Sequence, residues 1–140
     1  MSEEKCIFCL IASGDIPCAK VYEDESVLAF LDLSPVHPGH TLVIPKVHYK
    51  DLLEVPCEFA PALLSALKRL GAAVMKATGA TGFNVMQNNG LSAGQTMFHV
   101  HWHIIPRFDG DGLGAWEQGN YPDAAAMQTM AAKVASCLEK

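Results

Sequence analysis

The chain has 140 residues, 50% of them hydrophobic and 18% charged, with a formal net charge of −5. That is enough chain for one domain with a real core, and 1–140 is read as a single domain because no linker or composition break divides it. No run of Lys or Arg is present to neutralise nucleic-acid phosphates and no apolar run reaches membrane-span length, so neither partner is expected.

The start, Met1-Ser2-Glu3-Glu4-Lys5, lacks the basic-then-apolar layout of a signal peptide. Five cysteines, an odd number, fit a reducing cytoplasmic setting better than a disulfide framework. Cys6-Ile7-Phe8-Cys9-Leu10-Ile11 reads as a short apolar helix ending near Ser13-Gly14. Its Cys6 and Cys9 form a C-x-x-C pair, which by itself is open between a metal half-site, a redox pair and two core thiols.

Residues 20–24 and 27–32 read as two strands joined by a polar turn, and 40–44 as a third. Asp32 closes the second strand just before Ser34-Pro35, where an Asp is most often a turn residue bonding nearby backbone. From Cys57 to Thr78, apolar residues recur at spacings of three and four, the pattern of one long amphipathic helix stopped by Gly79. Residues 82–88 alternate as a strand. The Gly- and Asn-rich loop that follows, through Thr96, is either a long hairpin connection or a ligand-contacting loop, and its neighbours favour the latter. Pro122 to Leu138 reads as a C-terminal helix, out to about 139.

Those neighbours are Phe98-His99-Val100-His101-Trp102-His103-Ile104-Ile105-Pro106. Three histidines alternate with apolar residues, the period of a strand with two unlike faces. Side chains two apart on a strand are roughly 6–7 Å apart, so three imidazoles would line one face and Trp102 the other. Imidazole serves as nucleophile, acid–base group or metal ligand near neutral pH. No common structural need calls for such a row.

The run His99-Val100-His101-Trp102-His103-Ile104-Ile105 resembles the signature of the histidine triad (HIT) family of nucleotide hydrolases and transferases. Cys6-Ile7-Phe8-Cys9, Phe30-Leu31-Asp32-Leu33-Ser34-Pro35, His40-Thr41-Leu42-Val43-Ile44-Pro45-Lys46 and Gly94-Gln95-Thr96 match in order, so the resemblance covers about 6–107. It implies an α+β fold with an antiparallel five-stranded sheet, one long helix and short terminal helices, commonly paired as a homodimer with a continuous sheet.

It also implies residue roles. His101 matches the nucleophile that attacks the α-phosphorus of a purine nucleotide, giving a nucleotidyl-histidine that water cleaves. His103 matches a phosphate-binding residue, Thr96 the hydroxyl that helps the leaving group depart, and His40 a histidine supporting the triad. Gln95 and Asn88 match side chains holding phosphate or its neighbours, and Asp32 the acid that binds the ribose hydroxyls. Ile7, Phe8, Ile11, Phe30 and Leu33 match the apolar slot for the base. A subset of the family holds structural zinc at positions matching Cys6, Cys9, His48 and His99. Arg107, after Ile105-Pro106, resembles the branch that cleaves dinucleoside polyphosphates, where a basic residue could meet extra phosphate. His37 matches nothing and is read as a solvated loop residue.

The expected function is hydrolysis of an α-phosphate linkage in a phosphoramidate, acyl-adenylate or dinucleoside polyphosphate. Two alternatives stand beside it: a nucleotide-binding regulatory protein with vestigial catalysis, and a transition-metal site formed by His99, His101 and His103 together.

Overall fold

The computed structural model describes residues 6–114 and 116–139. A short helix α1 (Ile7–Ser13) leads into strands β1 (Lys20–Glu23), β2 (Val27–Leu31) and β3 (Thr41–Pro45). The long helix α2 (Ala60–Thr78) follows, then β4 (Gly82–Met86), β5 (Trp102–Arg107) and the C-terminal helix α3 (Ala124–Ser136). The strands form one antiparallel sheet in the order β1-β2-β3-β5-β4. This is the expected α+β architecture.

The sheet is covered on both sides, which explains why β2 and β3 read as unbroken apolar runs. Val27, Ala29, Val43, Trp102 and Ile104 pack beneath Ala66, Leu70 and Val74 of α2. Leu28, Phe30, Leu42 and Ile44 face the other way, against Cys6 and Phe8 of the α1 segment. Helix α2 begins three residues later than its apolar spacing indicates, because Cys57–Phe59 is a tighter 3-10 turn. The loop before β3 passes close under α2 at Gly39. There φ is +100°, and a Cβ would lie 2.6 Å from Thr78 Cγ2, so glycine alone fits.

The histidine segment departs from the expected strand over 98–106. Ladder pairing begins only at Trp102, with His103 set between Leu42 of β3 and Met86 of β4. Upstream, the Val100 amide donates to the Tyr49 carbonyl (2.7 Å), in the loop beyond β3 rather than in a strand. The alternation nevertheless persists. Val100, Trp102 and Ile104 enter the α2-side core while the histidines face away from it.

Candidate active site

A cleft of about 300 Å³ opens on the face opposite α2. His101, His103 and Thr96 line its chemical end, and Asp32 stands beside them. Ile7, Phe8 and Ile11 from α1, with Phe30 and Leu33, line its apolar part, so all five residues expected to form the slot meet there. Pro17, Cys18, Ala19, Leu31, Leu42 and Met97 complete it. Nothing in their sequence spacing marked these residues; only the path of the chain between α1 and β1 brings the first three in.

The hydrogen-bond pattern fixes the imidazole tautomers. Nδ1 of His101 lies 2.8 Å from the His99 carbonyl, which can only accept, so Nδ1 holds the hydrogen and Nε2 keeps the lone pair. At His40 the order is reversed: the Val36 amide donates to Nδ1 (3.1 Å), leaving the hydrogen on Nε2. That Nε2 donates to Nδ1 of His103 at 2.9 Å. Nε2 of His103 must then carry a hydrogen. The cleft thus presents one imidazole with a free lone pair and, ring centroids 5.0 Å away, another with an N–H to donate.

The electrostatics support these neutral forms. Burial lowers the pKa of His101, opposed by its bond to the His99 carbonyl and by the Asp32 charge. Burial, then the neighbouring His101 and His40, push His103 down to about 4. His40 is also lowered by burial, while Asp32 opposes the shift from 3.6 Å. The other Asp32 oxygen accepts from the Ser34 amide (2.8 Å), so the turn reading of this residue holds and its carboxylate also reaches the cleft.

Two expected ligand-holding side chains do not reach the cleft. Gln95 is buried, and its amide donates to the carbonyls of Lys50 (2.7 Å) and Met97 (3.1 Å) while accepting from the Gly90 amide (2.8 Å). With both N–H groups engaged, it braces the loop that presents Thr96. Asn88 is likewise absent from the lining. Arg107 is also committed. Its guanidinium donates to both Asp111 oxygens, to Asn84 Oδ1 and to the Leu113 carbonyl. His37 is no solvated loop residue: it is partly buried, 3.3 Å from Asp111 and edge-on to Phe108.

Beneath the triad, Cys6, Cys9, His48 and His99 converge, their ligand atoms all within 4.8 Å of one another. Cys9 Sγ lies 3.3 Å from His48 Nδ1 and 3.5 Å from His99 Nδ1, and Cys6 Sγ 3.4 Å from His99 Nδ1. Tetrahedral bonds of roughly 2.3 Å to sulfur and 2.0–2.1 Å to nitrogen require donor separations of roughly 3.3–3.8 Å, so the four donors fit a closed tetrahedral ion. Nε2 of His99 donates to the Pro45 carbonyl (2.9 Å), which turns the Nδ1 lone pair toward the thiols. Among the described residues, His99, His101 and His103 do not converge as one ligand set; the second possible cluster is Asp32, His40 and His103.

The chain is 53% identical over 113 residues to "Protein hit" of Bacillus subtilis, covering 80% of this chain and 78% of that one. It is 48% identical over 102 residues to the adenosine 5'-monophosphoramidase hnt1 of Schizosaccharomyces pombe (73% and 74%). It is also 46% identical over 115 residues to the adenylylsulfatase HINT3 of Arabidopsis thaliana (82% of this chain), of whose length it spans 58%. A crystal structure from Streptococcus mutans superposes with a TM-score of 0.91 at 43% identity, over 99% of this chain and 88% of that one. A zinc-bound histidine triad family protein from Mycobacterium smegmatis does so at 0.76 and 38%, over 94% and 99%. The HIT domain model matches residues 13–110, and with these relatives it shows that the chain belongs to the HIT family.

Proposed function

We propose that this protein hydrolyses an α-phosphate linkage of a purine nucleotide conjugate through a nucleotidyl-histidine at His101, releasing the nucleoside monophosphate. The observation that carries this reading is the tautomer of His101. Its Nδ1–H is held by the His99 carbonyl, and its Nε2 lone pair belongs to a ring lining the same cleft as Asp32, Thr96 and His103. Nε2 attacks phosphorus, the N–P bond forms and the bond to the leaving group breaks, with the Thr96 hydroxyl assisting its departure. Water then cleaves the N–P bond and restores the imidazole. The Nε2–H of His103 donates to a phosphoryl oxygen and offsets the charge that develops there. Asp32 accepts from the ribose hydroxyls, and the apolar slot takes the base.

Zinc suits the Cys6, Cys9, His48 and His99 donor set. There it would join α1 to the segment bearing the triad, as a structural ion with no position open to substrate.

Two observations favour conjugates with a small leaving group over dinucleoside polyphosphates. The guanidinium of Arg107, the cation that could meet extra phosphate, is occupied by Asp111, Asn84 and Leu113. The relatives named above as a monophosphoramidase and an adenylylsulfatase act on AMP joined to a small group. AMP release measured with adenosine phosphoramidate and with a diadenosine polyphosphate should give a higher kcat/KM for the phosphoramidate. A preference for the diadenosine compound would reverse the assignment.

We also infer a homodimer formed at the β4 edge. The β1 edge is guarded by Lys20, Glu23 and Lys46 in ion pairs and by a register irregularity between Lys20 and Tyr22. Strand β4, Gly-Phe-Asn-Val-Met, carries no charge and no proline, and its Val85 is exposed, so it is open to pairing with a second copy.

A further inference from the structure

Two of the five cysteines, Cys6 and Cys9, stand one helical turn apart at the start of α1. The Cys9 amide donates to Cys6 Sγ at 3.5 Å, and the two sulfurs lie within 4.8 Å of each other. A disulfide needs roughly 2.05 Å, a gap that rotation about the two Cα–Cβ bonds can close. This C-x-x-C spacing is the one at which neighbouring thiols run thiol–disulfide chemistry.

The two thiols differ in access. Cys6 is 1% exposed, whereas Cys9 is only partly buried. An oxidant meets Cys9 first, with Cys6 behind it as the thiol that resolves the oxidised sulfur. The same two sulfurs are half of the Cys6, Cys9, His48 and His99 donor set. The thiolate is the metal ligand, so closing a disulfide leaves only two imidazoles to hold an ion. Between the cysteines, Ile7 and Phe8 reach the cleft, and Phe8 lies edge-on to His101 at 5.2 Å. The thiol pair therefore brackets one wall of the slot.

We propose that Cys6 and Cys9 form a peroxide-sensitive latch, whose closure to a disulfide expels zinc and displaces the α1 wall of the base slot. The Cys9 thiolate attacks the O–O bond of hydrogen peroxide, giving a sulfenic acid and releasing hydroxide. The Cys6 thiolate then attacks the Cys9 sulfur, the S–S bond forms and a second hydroxide leaves. The sulfur pair gives up two electrons, the peroxide becomes two waters after taking up two protons, and zinc departs as the divalent ion. A dithiol reductant reverses the step by thiol–disulfide exchange, and zinc rebinds.

This inference rests on the zinc site and the nucleotide cleft proposed above, and the test separates them. The zinc-loaded full chain is treated with hydrogen peroxide, carrying Cys57→Ser/Cys137→Ser to remove two exposed thiols that line no part of the cleft. Released zinc is read with a chromophoric chelator, the Cys6–Cys9 peptide by mass, and AMP affinity by calorimetry before and after. The latch predicts one zinc released for each disulfide formed. It also predicts an AMP dissociation constant weakened roughly tenfold or more, the loss expected when about one apolar side chain leaves the base. Dithiothreitol and zinc together should restore both. Zinc retained under peroxide, with Cys9 stopping at the sulfenic or sulfinic acid, would overturn the latch. So would a disulfide form that binds AMP as tightly as the reduced one. Reduced protein that holds zinc but binds no AMP would overturn the cleft and the latch together. Reduced protein that binds AMP but holds no zinc would overturn the metal site and the latch.

Discussion

The carboxylate of Asp32 answers to three neighbours at once: the Ser34 amide, the His40 ring and the open cleft. Its sequence position before Ser34-Pro35 indicates the first of these; the other two follow only when the strand ends are brought together. Asp32→Ala should weaken AMP by about 1.5–3 kcal/mol for each ribose hydrogen bond lost, less where water competes. The same change should matter much less for a 2′,3′-dideoxy nucleotide, which has no donors there. Four dissociation constants by calorimetry close the cycle and cancel general damage to the fold. Equal losses for both ligands would assign Asp32 to the turn alone. Gln95 shows the opposite case. By resemblance it reads as a side chain holding phosphate or its neighbours. Only the positions of the Lys50 and Met97 carbonyls decide for the brace.

At the scale of elements, α1 is the part whose placement depends most on chemistry outside itself. It has seven residues, with Cys6 as its cap, and it supplies Ile7, Phe8 and Ile11 to the cleft. Phe8, between the two cysteines, stands edge-on to both His99 (5.8 Å) and His101 (5.2 Å). The four-residue cluster therefore borders one wall of the slot and, through the His99 carbonyl, the ring of His101. Elemental analysis should give one zinc per chain in wild type and in His101→Ala, and none in Cys6→Ser/Cys9→Ser. Wild-type protein that lacks metal after zinc-replete expression would return the cysteines to two packed thiols. The elements themselves were legible, because period-2 and period-3.6 apolar patterns are set by burial on the two faces of the sheet and beneath α2. The late start of β5 was not, since it depends on Val100 finding Tyr49 far away in the chain.

Over the whole molecule, the histidine triad, the C-x-x-C pair and the Asp32 strand end are separated by tens of residues and meet only because β3 lies between β2 and β5. Hydrophobic pattern gives strands but not their order, so topology entered through the family resemblance. What the assembled site does chemically turns on one nitrogen. His101→Ala, compared with wild type for the rate of AMP release from adenosine phosphoramidate and for AMP affinity by calorimetry, tests it most directly. A nucleophile acts on the barrier while Asp32 and the slot hold the ground state, so the rate should fall by several powers of ten with affinity largely kept. A variant that retains more than about a tenth of wild-type activity would contradict the covalent mechanism.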